Sequence, residues 1–262
     1  MSSIPELRRS RVLGVRFVAE PLDVVRRAVR RTLESDQRHA AYLCHTGAHG
    51  VVEANRDPRL RAILNKADFN VPDGKPIVLA SRALGYEHSE RAFGPDIMWA
   101  ILEDSADLGL RHFFYGGKEG VADRLADHFT ERIPGIMVSG TYCPAFRPLT
   151  VAEEEDVANA INAGVTDVVW VGLSTPKQER WIASMRHRLN VKLICSVGAA
   201  FDYHTGTIKP APAWMQKAAL EWLYRLVQEP GRLWRRYLEV VPRFLYLITL
   251  QLTGLRSFPE ED

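Results

Sequence analysis

Three cysteines in 262 residues are too few, too far apart and odd in number for a disulfide framework. Cys44, Cys143 and Cys195 form no C-x-x-C pair, so a structural zinc site of that kind is not expected and a reducing cytoplasm fits best. Long apolar runs are also missing. The longest near the carboxyl end, Phe244 to Leu255, is 12 residues, is interrupted by Thr249, Gln251 and Thr253, and is too short to span a bilayer. The first residues carry Glu6, Arg8, Arg9 and Arg11 with no apolar segment, so no signal peptide is expected. Glycine and proline, 18 and 15 residues, are too sparse for a collagen-like or low-complexity chain. There is no G-x-G-x-x-G, no Walker loop and no H-E-x-x-H, which removes the usual fingerprints of dinucleotide enzymes, P-loop enzymes and zinc proteases.

What is present is an ordinary globular composition, 46% hydrophobic and 25% charged, enough for one large domain or two small ones. The net charge is only +2, but it is unevenly spread. Between Lys209 and Arg256 eight Lys or Arg face three Glu, a balance of +5, which leaves −3 for the rest of the chain.

Short β-branched and aromatic runs alternate with helical patterns. Strands are expected at Val12–Val18, Ala41–Cys44, Phe69–Val71, His112–Tyr115, Ile136–Ser139, Asp167–Val171 and Lys192–Val197. Helices are expected at Leu22–Leu33, Leu60–Ala67, Val121–Phe129, Val151–Asn162 and Lys177–Leu189. Val168, Val169, Trp170 and Val171 are apolar on both parities, as in a parallel strand covered on both faces. The fold class that follows is α/β, a doubly wound, mostly parallel sheet. After about Ala200 strands disappear. Helices at Trp214–Glu229, stopped by Pro230, and at Leu233–Val241, meeting Pro242, read as a helical appendage. The expected division is residues 1–208 for the α/β core and 209–262 for a basic appendage, with a chain cut after about Ala211 keeping a folded core.

Four motifs can carry chemistry. Val71-Pro72-Asp73-Gly74 follows a strand and opens a helix, so Asp73 is either a general base at a strand end or the cap of an ordinary turn. Phe114-Tyr115-Gly116-Gly117-Lys118 is a strand running into glycines, suited to a diphosphate or to a plain tight turn. Gly172-Leu173-Ser174-Thr175-Pro176-Lys177-Gln178 is again strand, glycine and helix start, with Lys177 and Gln178 expected toward the same crevice as Asp73. The last runs from Gly198 through Asp202 to an arginine–aromatic block holding Arg225, Arg232 and Arg235. That block reads either as a core stripe with snorkelling arginines or as a surface for anionic headgroups or a diphosphate. No nucleic-acid module accompanies it. His45 and His49 lack any metal-binding pattern.

Taken together and in order, these motifs resemble the WecG/TagA/CpsF glycosyltransferases, glycosyltransferase family 26. The resemblance covers residues 12–240 and is carried by Ala67-Asp68 with Val71-Pro72-Asp73-Gly74, Glu90-Arg91 with Gly94-Pro95-Asp96, and Phe114-Tyr115-Gly116-Gly117. It continues in Gly172-Leu173 with Pro176-Lys177-Gln178-Glu179, Val197-Gly198-Ala199 with Phe201-Asp202, and the block from Leu220-Glu221-Trp222 to Arg236-Tyr237. It implies a Rossmann-like core with a membrane-facing carboxyl-terminal appendage. It further implies inverting transfer of a sugar from a UDP-sugar to a polyprenyl-diphosphate-linked acceptor in bacterial surface-polysaccharide synthesis, without metal or cofactor. By the same resemblance Asp73 matches the general base, Gln178 and Arg91 match other active-site residues, and Arg225, Arg232 and Arg235 match appendage arginines that complete the site. One motif departs. Many members carry Thr-x-Asn where this chain has His45 and Gly47, with Thr46 one position late, so either Thr46 or His45 is the counterpart of the usual threonine.

The expected partners are thus a UDP-sugar donor, a polyprenyl-diphosphate-linked acceptor and an anionic membrane surface, with no nucleic acid; self-association in solution is left open. The expected location is the cytoplasm, peripheral on the inner face of the plasma membrane. Substrate contacts are expected from Gly116, Gly117, Gly172, Lys177, Asp202, Arg225, Arg232 and Arg235. Donors compatible with the family are UDP-N-acetylmannosamine, its uronic acid, UDP-glucose and UDP-glucuronic acid. The competing readings are a Rossmann-type sugar-nucleotide oxidoreductase or epimerase, disfavoured by the missing glycine fingerprint, and a non-catalytic membrane-surface component of a polysaccharide assembly complex.

Overall fold

A computed structural model describes residues 6–258. The stretch expected as one strand, Val12–Val18, is a hairpin instead. β1 (Arg9–Val12) and β2 (Val15–Val18) pair antiparallel, with Val12 opposite Val15. The two residues between them, Leu13 and Gly14, both have positive φ (52° and 84°), the backbone sign that a two-residue hairpin turn needs. A leucine at the first turn position hides this turn from a reading based on Asn-Gly or Asp-Gly.

The main sheet has six strands, all parallel: β3 (Ala41–Thr46), β4 (Phe69–Pro72), β5 (Arg111–Gly116), β6 (Met137–Tyr142), β7 (Val168–Gly172) and β8 (Leu193–Ser196). Their order is β4-β3-β8-β7-β5-β6. Helices α1 (Leu22–Glu34), α2 (Ala48–Arg56), α3 (Pro58–Asn65), α4 (Lys75–Ala83), α5 (Gly94–Ala106), α6 (Val121–Arg132), α7 (Val151–Ala163), α8 (Lys177–Met185) and α9 (Ala200–His204) complete the α/β part. Their starts follow local chemistry. Asp57 caps α3 through the Arg59 N–H with Pro58 in the first turn, and Thr150 and Glu153 form a reciprocal capping box on α7.

Each central strand is buried on both faces. In β3, Tyr42 and Cys44 join one apolar cluster with α2, α3 and α8, while Ala41 and Leu43 join a second with α1, α5 and α6. This is the doubly wound, Rossmann-like arrangement that the two-parity apolar strands announce. Thr46, Pro72, Gly116, Gly172 and Ser196 stand at the carboxyl ends of their strands, along one edge of the sheet where such folds bind ligands.

The carboxyl-terminal segment forms α10 (Ala213–Lys217), α11 (Glu221–Gln228) and α12 (Pro230–Leu252). Pro230 therefore opens a helix rather than ending one, because a first-turn proline loses no intrahelical hydrogen bond. Pro242 lies inside α12 without ending it. Leu233, Val240, Phe244, Leu247 and Ile248 are buried. The last four belong to the same apolar cluster as α2 and α8, so this half of α12 is built into the core. The outward apolar side chains of the segment are Trp214, Leu223, Val227, Trp234, Leu238, Leu245, Tyr246, Leu252 and Leu255. Among the described residues no helix is long and apolar enough to cross a membrane.

Candidate active site

Asp73 is the first residue beyond β4. Its N–H donates to the Thr46 carbonyl (3.1 Å), which continues the β3–β4 ladder by one bond and fixes its place at the sheet edge. Its Oδ1 accepts the Gly94 N–H at the start of α5 (3.3 Å). Gly94 packs closely here: a Cβ on it would lie in van der Waals contact, 3.4 Å from the Val197 carbonyl and 3.9 Å from the His45 ring. The Asp73 carboxyl keeps some solvent contact but is crowded by protein, and this desolvation pushes it up to about 6 against the opposing charges of Arg91 and Arg225 and the Gly94 N–H. A carboxylate with that proton affinity is still mostly ionised at neutral pH and has the chemistry to accept a proton.

Arg91 spans two parts of the site. Its Nε donates to the Asp73 carbonyl (3.3 Å), and its Nη2 pairs with Glu221 of α11 at 2.9 and 3.1 Å. Its guanidinium also lies over the Phe93 ring, 4.3 Å from the centroid. Tyr203 of α9 meets Phe93 edge-on at 5.3 Å, and Arg225 stands over Tyr203 at 5.8 Å. Burial pushes the Tyr203 phenol up to about 12, and its field includes Arg225, Glu221, Asp73 and Tyr237. Asp73, Arg91 and Arg225 are thus brought together.

Asp202 lies beside them. Burial raises its carboxyl, opposed by Arg232, Arg225 and Lys118. Arg225 and Arg232 share the Glu229 carboxylate, while the Arg225 Nε is buried without a hydrogen-bond partner. Arg235 does not join the cluster: it is exposed, with its guanidinium over the Trp234 ring at 5.2 Å.

The β3 pair divides between the two faces of the sheet. His45 is buried on the α5 side, its Nδ1 donating to the Ser196 carbonyl (2.9 Å) and its Nε2 without a partner. Desolvation lowers its pKa to about 4, so the ring is neutral and Nε2 is an acceptor at physiological pH. Thr46 points to the other face and donates to Asn70 Oδ1 (2.6 Å). Its contribution to Asp73 is made through its carbonyl.

Gln178 is fixed rather than open. Its Oε1 accepts the Gly198 N–H (3.0 Å) and its Nε2 donates to Glu179 (3.0 Å), tying the loop after β7 to the loop after β8. Glu179, fully buried, also accepts from Thr175 (2.9 Å). Lys177 reaches outward to Phe146, 4.7 Å from its ring, and Phe146 is 99% exposed. The glycines serve close approach: a Cβ on Gly116 would meet Gly172 backbone at 2.6 Å, and one on Gly172 would meet the Phe201 ring at 2.7 Å. The Gly117 N–H is spent on the Gly172 carbonyl (3.0 Å).

Sequence reasoning gave no role to Phe93, Phe146, Tyr203, Glu221 or Glu229. Glu221 and Glu229 each lie four residues from Arg225, a spacing that brings side chains to one helix face and was the available signal. Phe93 and Tyr203 carried none, since their meeting depends on how α9 packs against α5.

The Glycosyl transferase WecG/TagA/CpsF family model matches residues 10–257. Two proteins named N-acetylglucosaminyldiphosphoundecaprenol N-acetyl-beta-D-mannosaminyltransferase are similar. The one from Bacillus spizizenii is 32% identical over 210 residues, 80% of this chain and 79% of its own. The one from Bacillus subtilis is 29% identical over 230 residues, 87% of each chain. A parallel Rossmann-like sheet, a base-like carboxylate at its edge and a family match over nearly the whole chain lead to one assignment: this chain belongs to the WecG/TagA/CpsF family of glycosyltransferases.

Proposed function

We propose that the protein transfers N-acetylmannosamine, with inversion, from its UDP-sugar to N-acetylglucosamine carried on a polyprenyl diphosphate. The names of both Bacillus relatives support the sugar and the acceptor. The observation that carries the chemistry is Asp73, a carboxyl held near 6 at the sheet edge with two arginines in its field. Asp73 takes the proton of the acceptor hydroxyl as its oxygen attacks the anomeric carbon. The bond from that carbon to the UDP oxygen breaks on the opposite face, so the configuration inverts. General-base assistance of this kind contributes about 10²–10⁴ in rate.

The leaving UDP gains negative charge at its diphosphate. Arg225, with its unused Nε, and Arg232 supply fixed positive charge for it, assisted by Lys118. Phe146 offers an exposed aromatic face for the nucleobase, with Lys177 beside it. The neutral His45 Nε2 suits a donor-sugar hydroxyl. The outward apolar side chains of α10–α12, set among basic residues, suit contact with the inner leaflet that holds the acceptor's lipid chain.

A thermal-shift panel of UDP-sugars tests the donor. Ligand at 100 times Kd adds about 2.7 kcal/mol of stability, a clear rise in Tm. UDP-N-acetylmannosamine is expected to give that rise, and to release UDP when a prenyl-diphosphate N-acetylglucosamine is added. A response to another UDP-sugar alone would replace the proposed donor, and the absence of UDP release with every donor would remove the reading.

A further inference from the structure

Arg91 holds an unusual position for a residue beside a base. It hydrogen-bonds the main chain of Asp73, yet its strong ion pair is with Glu221, a residue of the carboxyl-terminal helical segment 130 positions away. The two side chains are only 17% and 19% exposed, so the pair is weakly screened. We propose that Glu221 is a positioning residue for the base: it seats α11 on the active-site loop and holds the Arg91 charge away from the Asp73 carboxylate. The inference rests on the reading of Asp73 as the base for its catalytic consequence, though not for its electrostatics.

The geometry supports this in two ways. First, among the described residues the Asp73 carboxylate accepts one hydrogen bond, from the Gly94 N–H, and none from Arg91. A guanidinium turned fully onto that carboxylate would depress it by about 1–3 pH units, leaving a poor base. With Arg91 pulled toward Glu221, burial wins and the carboxyl stays near 6. Second, Glu221 and Arg225 are one turn apart on α11, so the clamp on Arg91 also sets where Arg225 stands over Tyr203. The charged and titratable groups around Asp73 are Arg91 from the loop before α5, Arg225 from α11 and Tyr203 from α9. His45 on β3 is neutral and packs against the same Gly94. Removing the negative charge of Glu221 leaves Arg91 without its ion-pair partner, while Arg225 keeps Glu229. The release of Arg91 toward the carboxylate acts to lower the pKa of Asp73.

Carbon-13 NMR of the full chain, labelled at aspartate carboxyls, reads this directly and needs no substrate. The Asp73 resonance is the one lost in Asp73→Asn. Glu221→Gln keeps the side-chain shape and an oxygen for Arg91. It is expected to lower the Asp73 midpoint by about one pH unit. Glu221→Asp, which keeps the charge, is expected to leave it near the wild-type value. Glu221→Ala is a second neutral variant and is expected to shift the same way, with a thermal melt confirming that each variant is folded. In activity assays the acid limb of the kcat/KM profile is expected to follow the NMR midpoint downward. An unchanged or raised Asp73 midpoint in either folded neutral variant would overturn the proposal. If the midpoint moves as expected while Asp73→Asn turns over like wild type, the electrostatic role of Glu221 stands and the assignment of the base falls.

Discussion

Gln251, near the end of α12, grips the backbone of the amino-terminal hairpin with both ends of its amide. Its Oε1 accepts the Leu13 N–H (2.8 Å) and its Nε2 donates to the Arg11 carbonyl (2.9 Å). Two segments about 240 residues apart are thereby closed onto each other, and the chain's last long helix becomes part of its first structural unit.

A chain ended after Ala211 is therefore expected to be unfolded or insoluble, contrary to what the sequence suggests. It loses Leu233, Val240, Phe244, Leu247 and Ile248 from the buried set. Each contributes about 1.5–3 kcal/mol, and the sum matches the whole stability of a typical domain, about 5–15 kcal/mol. A milder change, Gln251→Ala, is expected to cost about 1–3 kcal/mol by leaving a buried donor and acceptor unpaired. Denaturant melts of the two variants check both; a truncated chain with a cooperative melt would show that α12 is dispensable to the core.

The same helix shows where sequence reading runs out. The alternation of apolar strands with helical periods was enough to give the doubly wound sheet, because burial of Val168–Val171 on both faces is written in consecutive apolar residues. Asp73, Arg91 and Arg225 were legible as motif residues, and the fold brings them together. The division of α12 into a core face and an outer face was not. Phe244 and Leu245 are adjacent and equally apolar, yet one is buried and the other is 57% exposed, a difference decided by the packing of α12 against α2. Nor does Gln178 announce in sequence that its amide is bound to Gly198.

Asp73→Asn is expected to cut turnover about 100-fold or more, the usual size of a lost general base, while UDP binding by thermal shift is retained. Wild-type kcat/KM is expected to fall as pH drops through about 6, where the carboxyl takes up its proton. Stability runs the opposite way. The folded carboxyl has a pKa above its ordinary 3.8. Its favourable share of stability is therefore complete below pH 3.8 and is lost as pH rises through about 6. Asn at this position avoids that loss, so the variant is expected to melt higher than wild type at pH 8, by about 1–3 kcal/mol after allowing for partial solvation, and to match it more closely at pH 4. A variant that is both active and no more stable at pH 8 would make Asp73 a turn residue.

Glycine substitutions separate close packing from phosphate binding. Gly116 has φ of +130° and its missing Cβ would strike Gly172 backbone, which cannot yield as a flexible side chain can. Gly116→Ala is expected to cost at least about 1–3 kcal/mol, the scale of core overpacking, before any effect on ligand. Gly47→Ala has open space within 4 Å and φ of −100°, and is expected to be neutral within about 0.5 kcal/mol. Equal Tm values for the two variants would show that the strand ends at β5 and β7 are looser than their contact distance implies.

The outer face of the helical segment makes the last prediction. Trp234, Leu238, Leu245 and Tyr246 project from α12, with Leu223 and Val227 on α11 and Trp214 on α10. Phe244, Leu247 and Ile248 take no part, since they face the core. Around the outward set lie Arg235 and Arg243, also exposed. Each basic residue near an anionic bilayer adds about 1 kcal/mol, an attraction that fades within a Debye length, while the apolar side chains add a part that salt leaves intact. Intact protein is therefore expected to float with phosphatidylglycerol vesicles at low salt, to be largely released at 1 M salt, and to ignore neutral phosphatidylcholine vesicles. Leu238→Glu with Leu245→Glu is expected to abolish flotation and, with the core face of α12 untouched, to leave the unfolding free energy within about 1 kcal/mol of wild type. The paired variant is also expected to keep UDP binding while losing transfer to a long-chain lipid acceptor, since only that acceptor requires docking. Flotation that survives both high salt and the double substitution would place membrane contact elsewhere on the molecule.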